Sequence, residues 1–326
     1  MLSPAKASGW IRMRVVGKGN ILNTRHRRIA PSLLAILALL APGVATTASA
    51  AEDAADVPCQ DLHAGQNPQA RYFLLGPVKP GDPPKDGRML VLVLAGGDGG
   101  ADFNGFLKNM TRFAMPQDAV VAQLVAVRWT PSQETVWPTL TDRAEKMKFT
   151  TEQFVEAVVR DVKGKHRIDA RHVFTLSWSS GGPAAYAISL QPGSSITGSY
   201  IAQSVFWPAK LPPLKAARGH AYFLDHSPED EVCRFRHATQ ARDALKAAGA
   251  RVELVTYEGG HGWKGDVWGR IRQGIAWLKE QTAAPAASRT GRTKPSRASS
   301  AALARLEGAH RPEVVVAVPP ENPARP

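Results

Sequence analysis

The chain has 326 residues, 44% of them hydrophobic and 21% charged, which is the composition of a globular protein and excludes a wholly disordered or fibrous one. Its formal net charge is +13, but residues 1–50 hold seven Lys/Arg and no acid, and residues 282–326 hold seven Lys/Arg and three Glu. Residues 51–281 carry 27 basic and 25 acidic side chains, so the central part is near neutral and a polyanion-binding face is not expected there.

Residues 1–50 read as an export signal. Arg25, Arg27 and Arg28 precede the apolar run 33–41, Pro42-Gly43 break it, and Ala48-Ser49-Ala50 provides a small-residue cleavage site. The run is shorter than the ~20 apolar residues that span a bilayer, so no stable span is expected after cleavage. The expected location is periplasmic or extracellular. In an oxidising compartment, the two cysteines, Cys59 and Cys233, are candidates for a disulfide. Neither sits in a CxxC or beside a cluster of histidines, so no metal site and no cofactor are expected.

Residues 51–88 are polar, with Gly and Pro clusters and one strand-like piece at 71–75, and read as an N-terminal extension. From Met89 to residue 281, strand and helix patterns alternate. Strands are predicted at 89–94, 119–127, 173–177, 199–206, 221–225 and 251–257. Helices are predicted near 103–115, from a Thr150/Thr151 cap to about Lys163, at 182–190, at 237–248 with Gly249 as a left-handed stop, and at 267–281. The strands read as near-continuous apolar runs, which implies a mostly parallel sheet with helices on both faces. The segment 129–149 follows neither period and contains Trp129 and Trp137; it is either a substrate rim or packing at a sheet edge. Beyond residue 281 the chain turns to Ala, Pro, Ser and Arg and reads as a disordered basic tail.

The chemistry concentrates in four loops, each behind a predicted strand. The strand at 173–177 runs into Trp178-Ser179-Ser180-Gly181-Gly182 and then a helix, the layout in which a sharp strand-to-helix corner lifts a serine hydroxyl out of a sheet. Ser179 is therefore the candidate nucleophile. Acyl transfer to serine needs a base, an acid that orients the base, and donors for the oxyanion. His261 lies between glycines after the last strand and is the candidate base. Asp230, in the loop after 221–225, is the candidate acid; Asp225 at that strand's end competes with it. The glycine-rich loop 95–100 follows the first buried strand, and Gly97 N–H with Ser180 N–H is the candidate oxyanion hole. No Gly-Lys-Ser/Thr follows that loop, which excludes a P-loop. Trp178 and Trp263 flank the site in sequence and either wall an acyl pocket or pack as core aromatics. The remaining histidines of the central part, including His226, have no such context and read as ordinary.

The order Ser179, Asp230, His261 is the order of nucleophile, acid and base in α/β-hydrolases. The lead-in Ile168-Asp169-Ala170-Arg171-His172-Val173-Phe174, the Ser179-Ser180-Gly181-Gly182 corner, the Ser227-Pro228-Glu229-Asp230-Glu231-Val232 loop and Gly259-Gly260-His261-Gly262-Trp263 resemble the phospholipase/carboxylesterase and polyhydroxyalkanoate-depolymerase-like branches of the α/β-hydrolase superfamily, over roughly residues 89–280. The chain departs from that pattern at three positions. His172 stands where the lead-in has Arg, Ser177 where the corner has its first glycine, and Ala95 where many relatives have the His of a His-Gly oxyanion loop. The resemblance implies an α/β-hydrolase fold and a serine hydrolase that cleaves small-molecule carboxylic esters through an acyl-enzyme, without a cofactor; the N-terminal signal adds the expectation that it is exported. A serine peptidase of the same fold and a catalytically silent binding protein are the alternatives.

Overall fold

The computed structural model describes residues 56–283. The expectations for the export signal and for the tail beyond Ala283 lie outside these residues. Eight strands form one sheet in the order β1-β2-β4-β3-β5-β6-β7-β8. They are β1 Cys59–His63, β2 Arg71–Leu75, β3 Arg88–Leu94, β4 Val120–Leu124, β5 Ile168–Trp178, β6 Gly198–Ala202, β7 Ala221–Asp225 and β8 Arg251–Val255. β2 runs antiparallel to both β1 and β4, and every other pair in the sheet is parallel. The helices are α1 Asn104–Ala114, α2 Thr151–Lys165, α3 Gly182–Ser189, α4 Arg236–Ala247 and α5 Val267–Thr282.

The period of two in the strands decides which face each side chain covers. Val91 and Val93 of β3 pack with Phe174, Leu176, Tyr200 and Phe223 against α1 and α5. Leu90, Leu92 and Leu94 point the other way and pack with Val173 against Phe154, Val155, Val158 and Val162 of α2. Both faces are covered, so the unbroken apolar run 89–94 of β3 is buried throughout, and Arg88 ahead of it is buried too.

Local signals set the helix ends. Thr150 Oγ1 accepts from the Gln153 N–H at 3.2 Å while Gln153 Oε1 accepts from the Thr150 N–H at 2.9 Å, a reciprocal box that starts α2. The helix passes through Gly164 to Lys165, slightly further than its pattern suggested. Gly249, at φ 88°, ends the α4 segment as expected.

Three differences from the sequence reading have physical causes. β1 is polar and has no buried residue; its place comes from pairing with β2 (Cys59 opposite Leu75, His63 opposite Arg71) and not from an apolar pattern. The stretch 51–88 thus contributes two strands to the central sheet. β6 stops at Ala202 because Gln203 takes φ 41° and turns the chain away, so the apolar residues to Phe206 belong to a loop. Cys59 and Cys233 are not joined: Cys59 is exposed on edge strand β1, and Cys233 is buried beside the end of β5. Four strand spacings of about 4.8 Å separate β1 from β5, far more than the roughly 7 Å Cα limit for a disulfide.

Among the described residues, no helix is long and apolar enough to cross a membrane.

Candidate active site

β5 ends at Trp178, and a single 3-10 turn, Ser179–Gly181, leads into α3. Ser179 has φ 51°, the left-handed conformation that non-glycine residues avoid and that a strained corner imposes. Such a residue costs about 1–3 kcal/mol and persists only where its surroundings over-determine it. Here they do. Ser204 Oγ donates to the Ser179 carbonyl at 2.6 Å. A Cβ on Gly181 would lie 2.2 Å from the Leu94 carbonyl oxygen, and one on Gly182 would lie 2.0 Å from Ser204 Oγ. The two glycines after the serine therefore let α3 close on β3 and β6. Ser177, which replaces the first glycine of the pattern, is fully buried, with Oγ 3.5 Å from the Tyr200 carbonyl oxygen. The corner forms with serine there.

The loop after β8 presents His261 between Gly260 (φ 75°) and Gly262 (φ 111°), which supply the turns that aim the ring back over the sheet. His261 Nε2 lies 3.2 Å from Ser179 Oγ, and Nδ1 lies 2.8 Å from Asp230 Oδ2. The Asp230 side chain is wholly buried and follows β7; its other oxygen accepts from the N–H groups of Val232 at 2.9 Å and Cys233 at 2.7 Å. The three residues predicted from separate loops are thus one hydrogen-bonded chain. That chain can move a proton from the serine to the imidazole and hold the resulting cation against a carboxylate.

Asp225, the competing acid, has another task. Its carboxylate accepts from the Tyr200 hydroxyl at 2.7 Å and sits 3.1 Å from Arg270 Nε. Burial pushes its pKa up, opposed by the Tyr200 hydrogen bond and the Arg270 charge. The Arg270 guanidinium in turn lies 4.2 Å from the centre of the Tyr257 ring, at the root of the histidine loop.

The glycine loop after β3 meets the corner directly: Ser180 Oγ donates to the Gly97 carbonyl at 2.8 Å. The two residues nominated for the oxyanion hole are therefore side by side. The segment 129–149 supports this loop from behind, since buried Trp137 donates its indole N–H to the Ala95 carbonyl at 2.9 Å. Trp178 and Trp263 are packing aromatics: their rings, 5.6 Å apart, join Phe103, Phe106 and Trp268 in one cluster. This cluster clamps the histidine loop to α1 and α5.

Two supporting residues escaped the sequence reading. Buried Gln203 accepts the Gly262 N–H at Oε1, and the Tyr257 hydroxyl lies 2.8 Å from the same oxygen. Gln203 sits in what reads as a strand, and its role arises only where β6 breaks. Cys233 lies against Ser179, and burial beside Asp230 pushes its thiol up to about 12, so it stays protonated. Among the described residues, no group of three or more His, Cys, Asp or Glu is placed to hold a metal ion.

The arrangement of the sheet and helices is similar to that of solved structures. A carboxylesterase from Mesorhizobium loti superposes with a TM-score of 0.52 at 17% identity, over 68% of this chain and 99% of that one. An esterase from Rhizomucor miehei gives 0.52 at 14% identity, over 71% and 85%. An α/β-hydrolase enzyme from a Medee basin deep-sea metagenome library gives 0.50 at 12% identity, over 70% and 99%. The chain has the α/β-hydrolase fold. No protein-family model and no curated protein matches its sequence. Within the α/β-hydrolase fold, Ser179, Asp230 and His261 each stand in a loop after a parallel strand, at the strands' C-terminal edge.

Proposed function

We propose that this protein is an exported serine hydrolase that cleaves small-molecule carboxylic esters. The carrying observation is the chain Ser179 Oγ, His261 Nε2, His261 Nδ1, Asp230 Oδ2, with contacts of 3.2 and 2.8 Å. The carboxylesterase and esterase activities named for structures of the same fold favour an ester over an amide.

In this reading His261 Nε2 accepts the Ser179 hydroxyl proton as Oγ attacks the ester carbonyl carbon. Asp230 holds the imidazolium that forms, and the N–H groups of Gly97 and Ser180 receive the oxyanion. Collapse of the tetrahedral intermediate breaks the bond to the alcohol oxygen, which takes the proton from His261. Water, deprotonated by the same histidine, then attacks the acyl-enzyme and releases the acid and the free serine. The buried Asp230, fixed by two main-chain N–H groups, keeps the imidazole in one orientation throughout. Export rests on the basic and apolar pattern of residues 25–50.

The test is hydrolysis of a series of p-nitrophenyl esters by the purified protein and by Ser179→Ala, with covalent labelling of each by a fluorophosphonate. The reading expects ester turnover and labelling in the native protein and neither in the variant. Equal turnover by both would remove Ser179 as nucleophile. Preferential cleavage of peptide amides would move the assignment to a peptidase, and absence of both labelling and turnover in the native protein would leave a silent fold.

A further inference from the structure

Asp230 Oδ2 faces two histidines. One is His261. The other is His226, the residue directly after β7, whose ring is buried and whose Nε2 lies 3.2 Å from the same oxygen. His226 Nε2 is also 2.5 Å from the Cys233 carbonyl oxygen. A carbonyl oxygen can only accept, so this nitrogen carries a proton. The His226 main-chain N–H donates to the Val255 carbonyl at 3.1 Å, which seats the residue between β7 and β8.

The turn 230–233 is closed from both ends by these contacts. Cys233 gives its N–H to Asp230 Oδ1 at 2.7 Å, and its carbonyl is held by His226. The N–H that grips the carbonyl places its positive end beside Oδ2. A histidine present only for packing would need neither feature; the T-shaped contact of its ring with Phe235, at 5.9 Å, would suffice.

We propose that His226 is a positioning residue for the catalytic acid: it fixes the turn that supplies Asp230 with its main-chain donors, and its Nε2–H draws on the charge of Oδ2 and so sets how strongly Asp230 stabilises the His261 cation. The proposal rests on the Ser179–His261–Asp230 reading.

The charged and titratable groups around His226 are Asp230 and His261 in the triad, Asp225 at the end of β7, and the Cys233 carbonyl and thiol on the turn. Tyr257 and Arg270 face the same carboxylates from the histidine loop and α5. Asp225 is already engaged by Tyr200 and Arg270. Burial lowers the His226 pKa, with the Cys233 carbonyl and Asp230 opposing, which fits a neutral donor at neutral pH.

The experiment compares His226→Gln, whose side-chain amide can carry an N–H to the place of Nε2, with His226→Leu, which carries none. His226→Asn, a donor too short to reach, is the third variant. For each full-length protein, kcat and KM for a p-nitrophenyl ester and the pH profile of kcat/KM are measured, and circular dichroism checks the fold. Without the Nε2–H, the Asp230 charge acts more fully on His261 and favours its protonated form. The acidic limb of kcat/KM, which reports the neutral base, therefore moves to higher pH. His226→Leu and His226→Asn are expected to shift the limb upward and to lose kcat about ten- to a hundredfold with KM little changed. His226→Gln is expected to restore both the limb and most of kcat.

If His226→Leu and His226→Asn keep the native limb and kcat, the proposal is overturned. It is overturned equally if all three variants lose activity alike with the limb unmoved, which marks a packing role. Should His226→Leu fail to fold, the contrast between the Gln and Asn variants decides. Fluorophosphonate labelling of the unmutated protein separates the two readings: if Ser179 is not labelled there, it is the triad that fails, and if it is labelled while the limb never moves, it is the role of His226.

Discussion

Gln203 Oε1 accepts the main-chain N–H of Gly262, tying the broken end of β6 to the residue after His261. The same oxygen meets the Tyr257 hydroxyl at 2.8 Å, and that hydroxyl also lies 3.0 Å from the Gly262 carbonyl oxygen. One buried amide thus fixes the loop that aims His261 at Ser179. Gln203→Ala is expected to leave the half-buried Gly262 N–H without its acceptor, at about 1–3 kcal/mol of stability. Ester turnover should fall about tenfold or more, because the imidazole loses its aim. Urea unfolding and kcat on a p-nitrophenyl ester measure the two effects.

The elbow tolerates no Cβ at Gly181, whose added carbon would meet the Leu94 carbonyl oxygen at 2.2 Å. Gly181→Ala should push α3 off β3, with a loss of about 1–3 kcal/mol. Fluorophosphonate labelling of Ser179 should slow sharply, because the corner that exposes the hydroxyl moves with the helix. Labelling rate at equal protein concentration reads this directly.

Ser177→Gly is expected to spare activity. Ser177 is fully buried in β5 and the corner already forms around it, so restoring the usual glycine should leave ester turnover essentially unchanged. Stability should drop by about 0.5–1 kcal/mol, the cost of a glycine in a strand. A large rise in turnover would show that the serine had been an obstacle.

The two cysteines should react separately. Cys59 is exposed and Cys233 buried, with a thiol held protonated by its surroundings. In an Ellman titration, Cys59 is expected to react in the native protein and Cys233 only after unfolding. Dithiothreitol should leave the melting temperature unchanged.

His220 supplies a pH dependence of stability away from the site. Burial, aided by the Arg251 charge, lowers its pKa from about 6.5 to about 4. The unfolded chain therefore binds a proton between these values that the native protein refuses. Stability from this group is present above pH 6.5 and is lost as the pH falls toward 4, by up to about 3 kcal/mol. His220→Phe, which keeps an aromatic ring against Tyr222, should flatten that slope. Urea midpoints at pH 7.5 and 4.5 for both proteins provide the comparison.

Much of the fold was legible because buried parallel strands must be apolar on both faces. The runs at 89–94 and 221–225 announce β3 and β7 without knowledge of their neighbours. β1 was not legible, since its polar Cys59–His63 has no pattern of its own and becomes a strand only by pairing with β2. The site divides in the same way. Glycines around Ser179 and His261 advertise tight turns, whereas Gln203 and His226 carry no local sign of what they hold. The disulfide expectation failed because residue identity and compartment say nothing of distance, and the sheet order places the two thiols far apart.

By itself, then, the sequence determined the alternation of strands and helices and the loops that carry Ser179, Asp230 and His261. These follow from periodicity and turn chemistry, which act over a few residues. Only the tertiary structure placed Asp230 rather than Asp225 against His261, packed Trp178 and Trp263 in one aromatic cluster, and set His226 beside Asp230 and Gln203 behind the His261 loop. Those outcomes depend on distances between side chains far apart in the chain. The packing of helices on a twisted sheet, which no local pattern encodes, fixes them.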